Sequence, residues 1–502
     1  MERRSERLLQ RGIAHYRVGE LGAAQACFDA VLAREPGNGP ARFRLSILAE
    51  KRGRHAEALA LIQQVARDEQ PRQEVFCQLA RTQLANGLVH EARESVDRAL
   101  AFPLDKPALL DSLGIVLSQL GEPVRALKLF EQAIAISPGR SFLHYNCALA
   151  LRALDRNADA EKHLETCLQL QPRHAKAHLA LAELRVQNAA YDHVERLRQR
   201  WLSRAVEEGG EEFVALALYR ELDDLGRHGE AWDMLQQAMN LRAARTNAGV
   251  SPGLWDLIQN EPTDSNQDEN GQARLPAPVF IVGLPRSGVE LLARRLAQHN
   301  EVVRAVAQSS FAREMARAAG GDPRPVLDRT LLESSPAASD AAIAERMRSV
   351  AAKTGGAVWL HAQPLDFLLI GRIARAMPEA RFLHMQRDAR DVLLAQLAQP
   401  SPWPSGSEAA PPLQDAEALA DYCLRYRQLM QHWHERLPGR ILDVQYESLV
   451  EKPEMLLRVA CAFIGLGYQP GLRFGPRLQA SRIGRAAAYA GRLAEAFERL
   501  DR

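Results

Sequence analysis

Apolar and polar positions in the first half of the chain repeat every 34 residues. Alanine stands at 24, 58, 92, 126 and 160, and Val194 continues the series. Four residues after each alanine comes a larger apolar side chain: Phe28, Ile62, Val96, Phe130 and Leu164. Five residues before the first four alanines stand Gly19, Gly53, Gly87 and Gly121, with Asp155 and Ala189 in the fifth and sixth units. Prolines at 36, 138 and 172 close three of the units. This pattern predicts one helical hairpin used repeatedly. Glycine permits the tight turn, alanine lets the second helix lie close on the first, and the larger residue one turn later fills the groove. Proline stops the second helix. A lone hairpin cannot bury its apolar stripe, so the units are expected to stack into a solenoid. Gly226, Ala231, Leu235 and Ala238 suggest a seventh, looser unit after an insertion near EEGGEE.

The 34-residue length and the Gly, Ala, Phe and Pro positions over 5–194 resemble the tetratricopeptide repeat. The resemblance implies a curved surface that binds a peptide or partner protein, with a purely rigidifying role as the alternative. Arg44, Gln78 and Asn146, expected on the concave face, differ between units and define no common pocket. The solenoid is assigned to 1–242. Residues 243–276 are mostly polar, with Gly, Pro and one apolar segment at Leu254–Ile258, which predicts a linker.

From Pro278 the period changes. Short apolar runs, PVFIVG, AVWLH at 357–361, RFLHM at 381–385 and ILDVQY at 441–446, alternate with the helical patterns LLARRLAQ, FLLIGRIARAM, DVLLAQLA and LLRVACAFIG. Such alternation predicts a mostly parallel sheet covered by helices over 277–502. The expected fold class is therefore multidomain, an all-α repeat solenoid followed by an α/β domain. The long connections 298–356 and 400–439 are expected to be helix-rich and to form a lid or a substrate wall.

Residues 279–294 read VFIVGLPRSGVELLAR. A strand would end at Gly283, turn through Leu-Pro-Arg-Ser to Gly288 and enter a helix. The first amides of that helix, the positive end of its dipole and Arg286 would form an anion site. A magnesium-nucleotide loop needs G-x-x-x-x-G-K-S/T. The two glycines have that spacing, but Val289 and Glu290 stand where lysine and the hydroxyl belong, which argues against ATP or GTP use. A tight turn without function is the alternative reading.

This loop resembles the PRSGTT loop of sulfotransferases, particularly bacterial ones with N-terminal tetratricopeptide repeats. QPLDFLLIGRIARAMPEARFLHMQRDARDVLLAQL at 363–397 and HWHERLPGRILDVQYESLVEKPEMLLRVACAFIGL at 432–466 resemble further segments of that family in the same order. The resemblance implies a P-loop-type sulfotransferase domain. It also implies 3′-phosphoadenylyl sulfate as donor co-substrate, direct transfer of a sulfuryl group to a hydroxyl or amine, including one on a protein or peptide, and no metal. It carries the 5′-phosphate loop onto Arg286, Ser287 and Gly288, and the 3′-phosphate contact onto Arg387. The pattern fails elsewhere. Val289 and Glu290 replace two threonines, and Ala307 and Gln308 stand where a base is expected. Ala362 replaces a lysine, Ala389 a proline and Ala395 a serine. The closing stretch QASRIGRAAAYAGRLAEAF keeps only Gly491-Arg492 of a GRW element. No catalytic base is thereby assigned. His361, at the end of a strand, is a candidate, with a structural histidine as the alternative; Glu301 and Glu314 are further carboxylates. Arg294, one turn past Glu290, is placed to pair with it. Three functions stay open: a sulfotransferase, a nucleotide-binding module without catalysis, and an interaction scaffold.

Bulk composition narrows this only a little. Lysine and arginine number 64 against 62 aspartates and glutamates, a balance that argues against general attraction to nucleic acid or membrane. The six cysteines are widely spaced, as expected of free thiols in a reducing compartment. The charged MERRSERLLQRG start does not read as a signal peptide, and no apolar run approaches membrane-spanning length, so the cytoplasm is expected. His432 and His434 sit about 200° apart on a helix, which argues against a shared metal.

Overall fold

The computed structural model describes residues 2–67, 72–245, 252–261, 277–305, 310–319, 327–335, 339–352, 356–401, 408–472 and 483–502. The chain forms two compact units, one running to Leu154 and one beginning at Asp155. No helix among the described residues is long and apolar enough to cross a membrane. All six cysteines are free.

The first unit is all helical. Its hairpins run from Glu2–Arg17 with Leu21–Leu32 to Pro107–Gln119 with Pro123–Ile136. The repeated alanines 24, 58, 92 and 126 are each fully buried, and Phe28, Ile62, Val96 and Phe130 lie beside them at 0–1% exposure. The turn glycines 19, 53, 87 and 121 have φ between 72° and 84°, the left-handed region that their position demands. A second 34-residue series explains the close packing: Gly12, Ser46, Ala80, Gly114 and Ala148 are all small. A Cβ on Gly12 or Gly114 would sit 2.6 Å from the ring of Phe28 or Phe130, so the aromatic of the second helix presses against the bare backbone of the first. Gln78 and Asn146 tie neighbouring repeats. Gln78 is 3% exposed and donates to Glu50 at 2.6 Å; Asn146 donates to Asp111 at 2.8 Å.

The second unit begins with more helices of the same kind: Asn157–Leu170, Ala175–Ala182, Val194–Ser203, Glu211–Asp224 and His228–Ala243. Asp155 adopts φ 59° where earlier units have glycine. The helix beginning at Val194 starts late, and His193 just before it is held by Glu221 at 2.8 Å and Glu165 at 3.4 Å. Within the stretch read as a linker, Pro252–Gln259 is a helix whose Leu254, Trp255 and Ile258 are buried; 246–251 and 262–276 lie outside the described residues.

The sheet has five parallel strands: β1 (Ala277–Gly283), β2 (Val302–Arg304), β3 (Val358–Ala362), β4 (Arg381–Gln386) and β5 (Ile441–Gln445), in the order β2-β3-β1-β4-β5. Four of them match the apolar runs. β2 does not: with three residues at the edge, its pairing with β3 stabilises it more than its own pattern does. One sheet face, with Val279, Ile281, Leu360 and Leu383, packs under the Val289–Leu296 and Pro453–Phe463 helices. The other, with Phe280, Trp359 and Phe382, shares one continuous core with Ala215, Leu218, Trp232 and Leu235 of the last repeat helices. Arg242, 2% exposed, joins these layers by donating to Glu212 at 3.0 Å and to the carbonyl of Gln399 at 2.6 Å. It also donates to the carbonyl of Leu413.

Candidate functional site

The central strand β1 pairs with β3 on one side and β4 on the other, and the chain order reverses between them. Parallel sheets bind ligands beyond the strand ends at such a switch point. There the loop 284–288 leaves β1. A Cβ on Gly283 would lie 2.7 Å from the carbonyl oxygen of Met385 and 2.8 Å from Ser287 Oγ, so only glycine lets the loop turn against β4. Arg286 and Gly288 follow with φ 73° and 111°. A non-glycine residue resists that region by about 1–2 kcal/mol, a cost tolerated where the conformation has a use. Here it turns backbone amides into one concavity. Among the described residues, the amides of Gly288 to Leu291 donate to no protein acceptor. Ser287 is 2% exposed, and its hydroxyl has no hydrogen-bond partner among those residues. Exposed Arg286 makes no side-chain hydrogen bond or ion pair among them. Buried donors left unmatched are costly, and an oxyanion would match them.

Arg387 lies beside this loop. Its Nη1 donates to the carbonyl of Arg286 at 3.2 Å, and its guanidinium stacks 4.6 Å from the ring centre of Tyr446. The four residues read as nucleotide contacts, Arg286, Ser287, Gly288 and Arg387, are therefore brought together. Glu290 turns away from the loop and is gripped by Arg294 at 2.9 Å and by Arg304 at 3.1 Å. Desolvation pushes its carboxyl pKa up, but Arg304 and Arg294 outweigh this and hold it below the usual range. The pairing with Arg294 follows helical spacing; the pairing with Arg304 needed β2 to form.

Three cavities surround the loop. One of about 550 Å3 is lined by Leu284, Ser287, Gln386, Arg387, Tyr426 and Met430. A second, of about 230 Å3, lies between Glu290, Arg304, His361 and Ala362. His361 is 1% exposed, packed between Phe280 and Trp359, with Nδ1 3.0 Å from Asp366 Oδ2. It thus combines the surroundings of a structural histidine with a place on the wall of a cavity. Of the other carboxylates considered, Glu314 is bound to Arg317 at 2.8 Å. Residues 306–309, which include Ala307 and Gln308, lie outside the described residues. The third and smallest cavity, about 50 Å3, is lined by Arg220, Arg286, Arg387 and Arg485, with Asp223, Asp391 and Ala395. No local motif marks Arg220 or Arg485. One lies in a repeat helix and the other in the shortened closing stretch, and only the fold brings them beside the loop. Arg492, the remnant of the family element, is exposed.

The sequence also hid a relay. Strand register sets His384 opposite Asp443, and the helix Ala416–Arg436 adds His434. Asp443 Oδ1 lies 2.7 Å from His384 Nδ1 and 3.0 Å from His434 Nε2, and the Tyr426 hydroxyl bonds His384 on its other side. Burial lowers the pKa of His384 although Asp443 opposes it. Candidate ligand atoms of these two histidines and the aspartate lie within 4.8 Å of one another, a grouping compatible with a metal, while His432 stays apart against Trp433. Tyr426 and Leu284 line the same 550 Å3 cavity, so this relay borders the start of the loop.

Two parts of the chain match known protein families. Residues 278–470 match the sulfotransferase family model, and 9–73 and 77–141 match the tetratricopeptide repeat model. A protein of unassigned role from Aquifex aeolicus (strain VF5) is 24% identical over 199 residues, which cover 38% of this chain and 26% of that protein. The inactive TPR repeat-containing thioredoxin TTL3 of Arabidopsis thaliana is 35% identical over 80 residues, 16% of this chain and 12% of that protein. The chain thus spans about a quarter or less of the length of these relatives. Among solved structures, MamA protein is 20% identical with a TM-score of 0.28, covering 35% of this chain and 96% of that one. YrrB, a TPR protein with an unusual peptide-binding site, is 19% identical with a TM-score of 0.28, covering 34% and 88%. The chain therefore joins a tetratricopeptide-repeat domain to a sulfotransferase-family domain.

Proposed function

We propose that the second unit binds 3′-phosphoadenylyl sulfate and transfers its sulfuryl group to a hydroxyl or amine. The observation that carries this reading is the unmatched donor set at 284–291: four amides without acceptors, the buried Ser287 hydroxyl and Arg286. These groups fit a 5′-phosphate, and Glu290, occupied by Arg294 and Arg304, does not compete for them. Arg387, anchored to the loop carbonyl, supports the second phosphate. On the acceptor side, His361 is the group suited to take a proton, with Asp366 positioned to stabilise the imidazolium that results. The donor supplies the reactive S–O bond; the acceptor oxygen or nitrogen replaces the phosphate oxygen on sulfur, and the bisphosphate leaves with the bonding electron pair. The repeat half is proposed to hold the protein or peptide that bears or accompanies the acceptor, in a reducing cytoplasm that suits six free thiols.

A second reading, nucleotide binding without transfer, is favoured by Ala362 in place of a lysine and by Arg304 being engaged with Glu290. Calorimetric titration of the full chain with 3′-phosphoadenosine 5′-phosphate tests the donor site. Binding is expected, with Arg286→Ala weakening it about tenfold or more, the usual effect of losing one charge-assisted contact. Well-folded protein that takes up no nucleotide at millimolar concentration rejects both readings. Transfer of radiolabelled sulfate from the donor to a peptide library, lost in His361→Ala but not in Glu301→Gln, separates the first reading from the second.

A further inference from the structure

The smallest cavity beside the loop is built from distant parts of the second unit. Arg286 comes from the loop, Arg387 from the end of β4, Arg485 from the closing stretch, and Arg220 from the repeat helix Glu211–Asp224. Four guanidiniums face two carboxylates there, and both carboxylates are already used. Asp223 holds Arg485 at 2.8 Å and accepts from the Tyr489 hydroxyl at 2.7 Å. Asp391 accepts the amides of Gly484 and Ala486 at 2.6 and 2.9 Å, which fixes the turn that carries Arg485. Asp224 adds a further contact to Arg485, so that arginine is neutralised.

Arg220 is not. Its side chain is only 9% exposed, and Glu183, its ion partner, stands 4.0 Å away. A guanidinium buried with so distant a counter-charge is poorly compensated, and the nearby Arg286 and Arg387 make its surroundings more positive. The cavity is too small for a nucleoside, which the neighbouring 550 Å3 space can take, but it suits one compact anion. Ala395, on its wall, stands where a serine hydroxyl was expected.

We infer that Arg220 replaces that hydroxyl and binds the 3′-phosphate of the donor nucleotide, so that a repeat helix completes the donor site. This rests on the donor reading above. A planar guanidinium offers paired donors to phosphate oxygens, and a charge-assisted bond is stronger than the hydroxyl contact it substitutes. The arrangement makes discrimination between nucleotides with and without a 3′-phosphate a property of the joined halves.

Parallel titrations of the full chain with 3′-phosphoadenosine 5′-phosphate and with 5′-AMP test this. Arg220→Met, which keeps the apolar stem, is expected to weaken the bisphosphate about tenfold and leave 5′-AMP within about twofold. Arg220→Lys should recover part of the preference. Glu183→Gln, which removes a counter-charge felt by Arg286 as well as Arg220, should tighten the bisphosphate more than 5′-AMP, and it serves if Arg220→Met does not fold. Folded Arg220→Met with an unchanged preference overturns the inference, as does an unchanged preference in Glu183→Gln should Arg220→Met not fold; in either case the donor reading stands. Wild-type protein that binds neither nucleotide removes both.

Discussion

Two carboxylates grip His193, and the consequence is a pH dependence with a definite sign. Burial alone would lower its pKa, but Glu165 and Glu221 raise it to about 9 from an ordinary 6.5. A histidine that binds its proton more tightly when folded stabilises the native state fully below about 6.5 and loses that effect as pH rises through about 9. Stability of the wild-type protein to urea should therefore fall by about 2–3 kcal/mol between pH 6 and pH 9.5. His193→Gln should lack that slope; an equal slope in both proteins would show that the charge pair is not linked to folding. Nothing in the local sequence announces this pair, because Glu221 lies 28 residues away on another helix. Glu290 is half legible: its bond to Arg294 is helical spacing, whereas Arg304 reaches it across a strand too short to read from its apolar pattern.

At the level of elements, periodicity carried most of the fold. Hairpins recur because Gly114 lets Phe130 touch bare backbone, and strands β1, β3, β4 and β5 form where apolar runs permit burial on both faces. The junctions were not legible in this way. Arg242 ends one repeat helix and donates to the carbonyls of Leu397, Gln399 and Leu413, more than 150 residues on. It caps the end of the Ala389–Leu397 helix, whose orphan carbonyls need donors, and it is neutralised by buried Glu212. Removing one partner of a buried pair costs about 3–5 kcal/mol. Arg242→Met should accordingly lower stability by about that much, measured by chemical denaturation, with a loss under 1 kcal/mol marking the contact as marginal.

For the whole molecule, the two compact units meet at residue 154. Leu218, Trp232 and Trp255 share a core with Phe280 and Phe382, so the last repeat helices and the sheet bury one another. A fragment beginning at Asp155 is expected to fold, to give one cooperative unfolding transition and to retain nucleotide binding. A fragment beginning at Ala277 should expose that core, lose Arg220 and aggregate. A soluble, nucleotide-binding fragment from Ala277 would contradict the shared core, which light scattering and calorimetry can decide.

Spacing along the chain determined the repeat, the strands around the loop and the position of Arg286, Ser287 and Gly288, because these depend on contacts within a few turns or on a period that survives in the letters. Tertiary structure alone decided that Glu290 leaves the loop, that His384, His434 and Asp443 meet, and that Arg220 and Arg485 stand beside Arg387. Those outcomes depend on strand order and on helices packed across hundreds of residues, where charge and burial act through distance in space and leave no interval in the sequence to read.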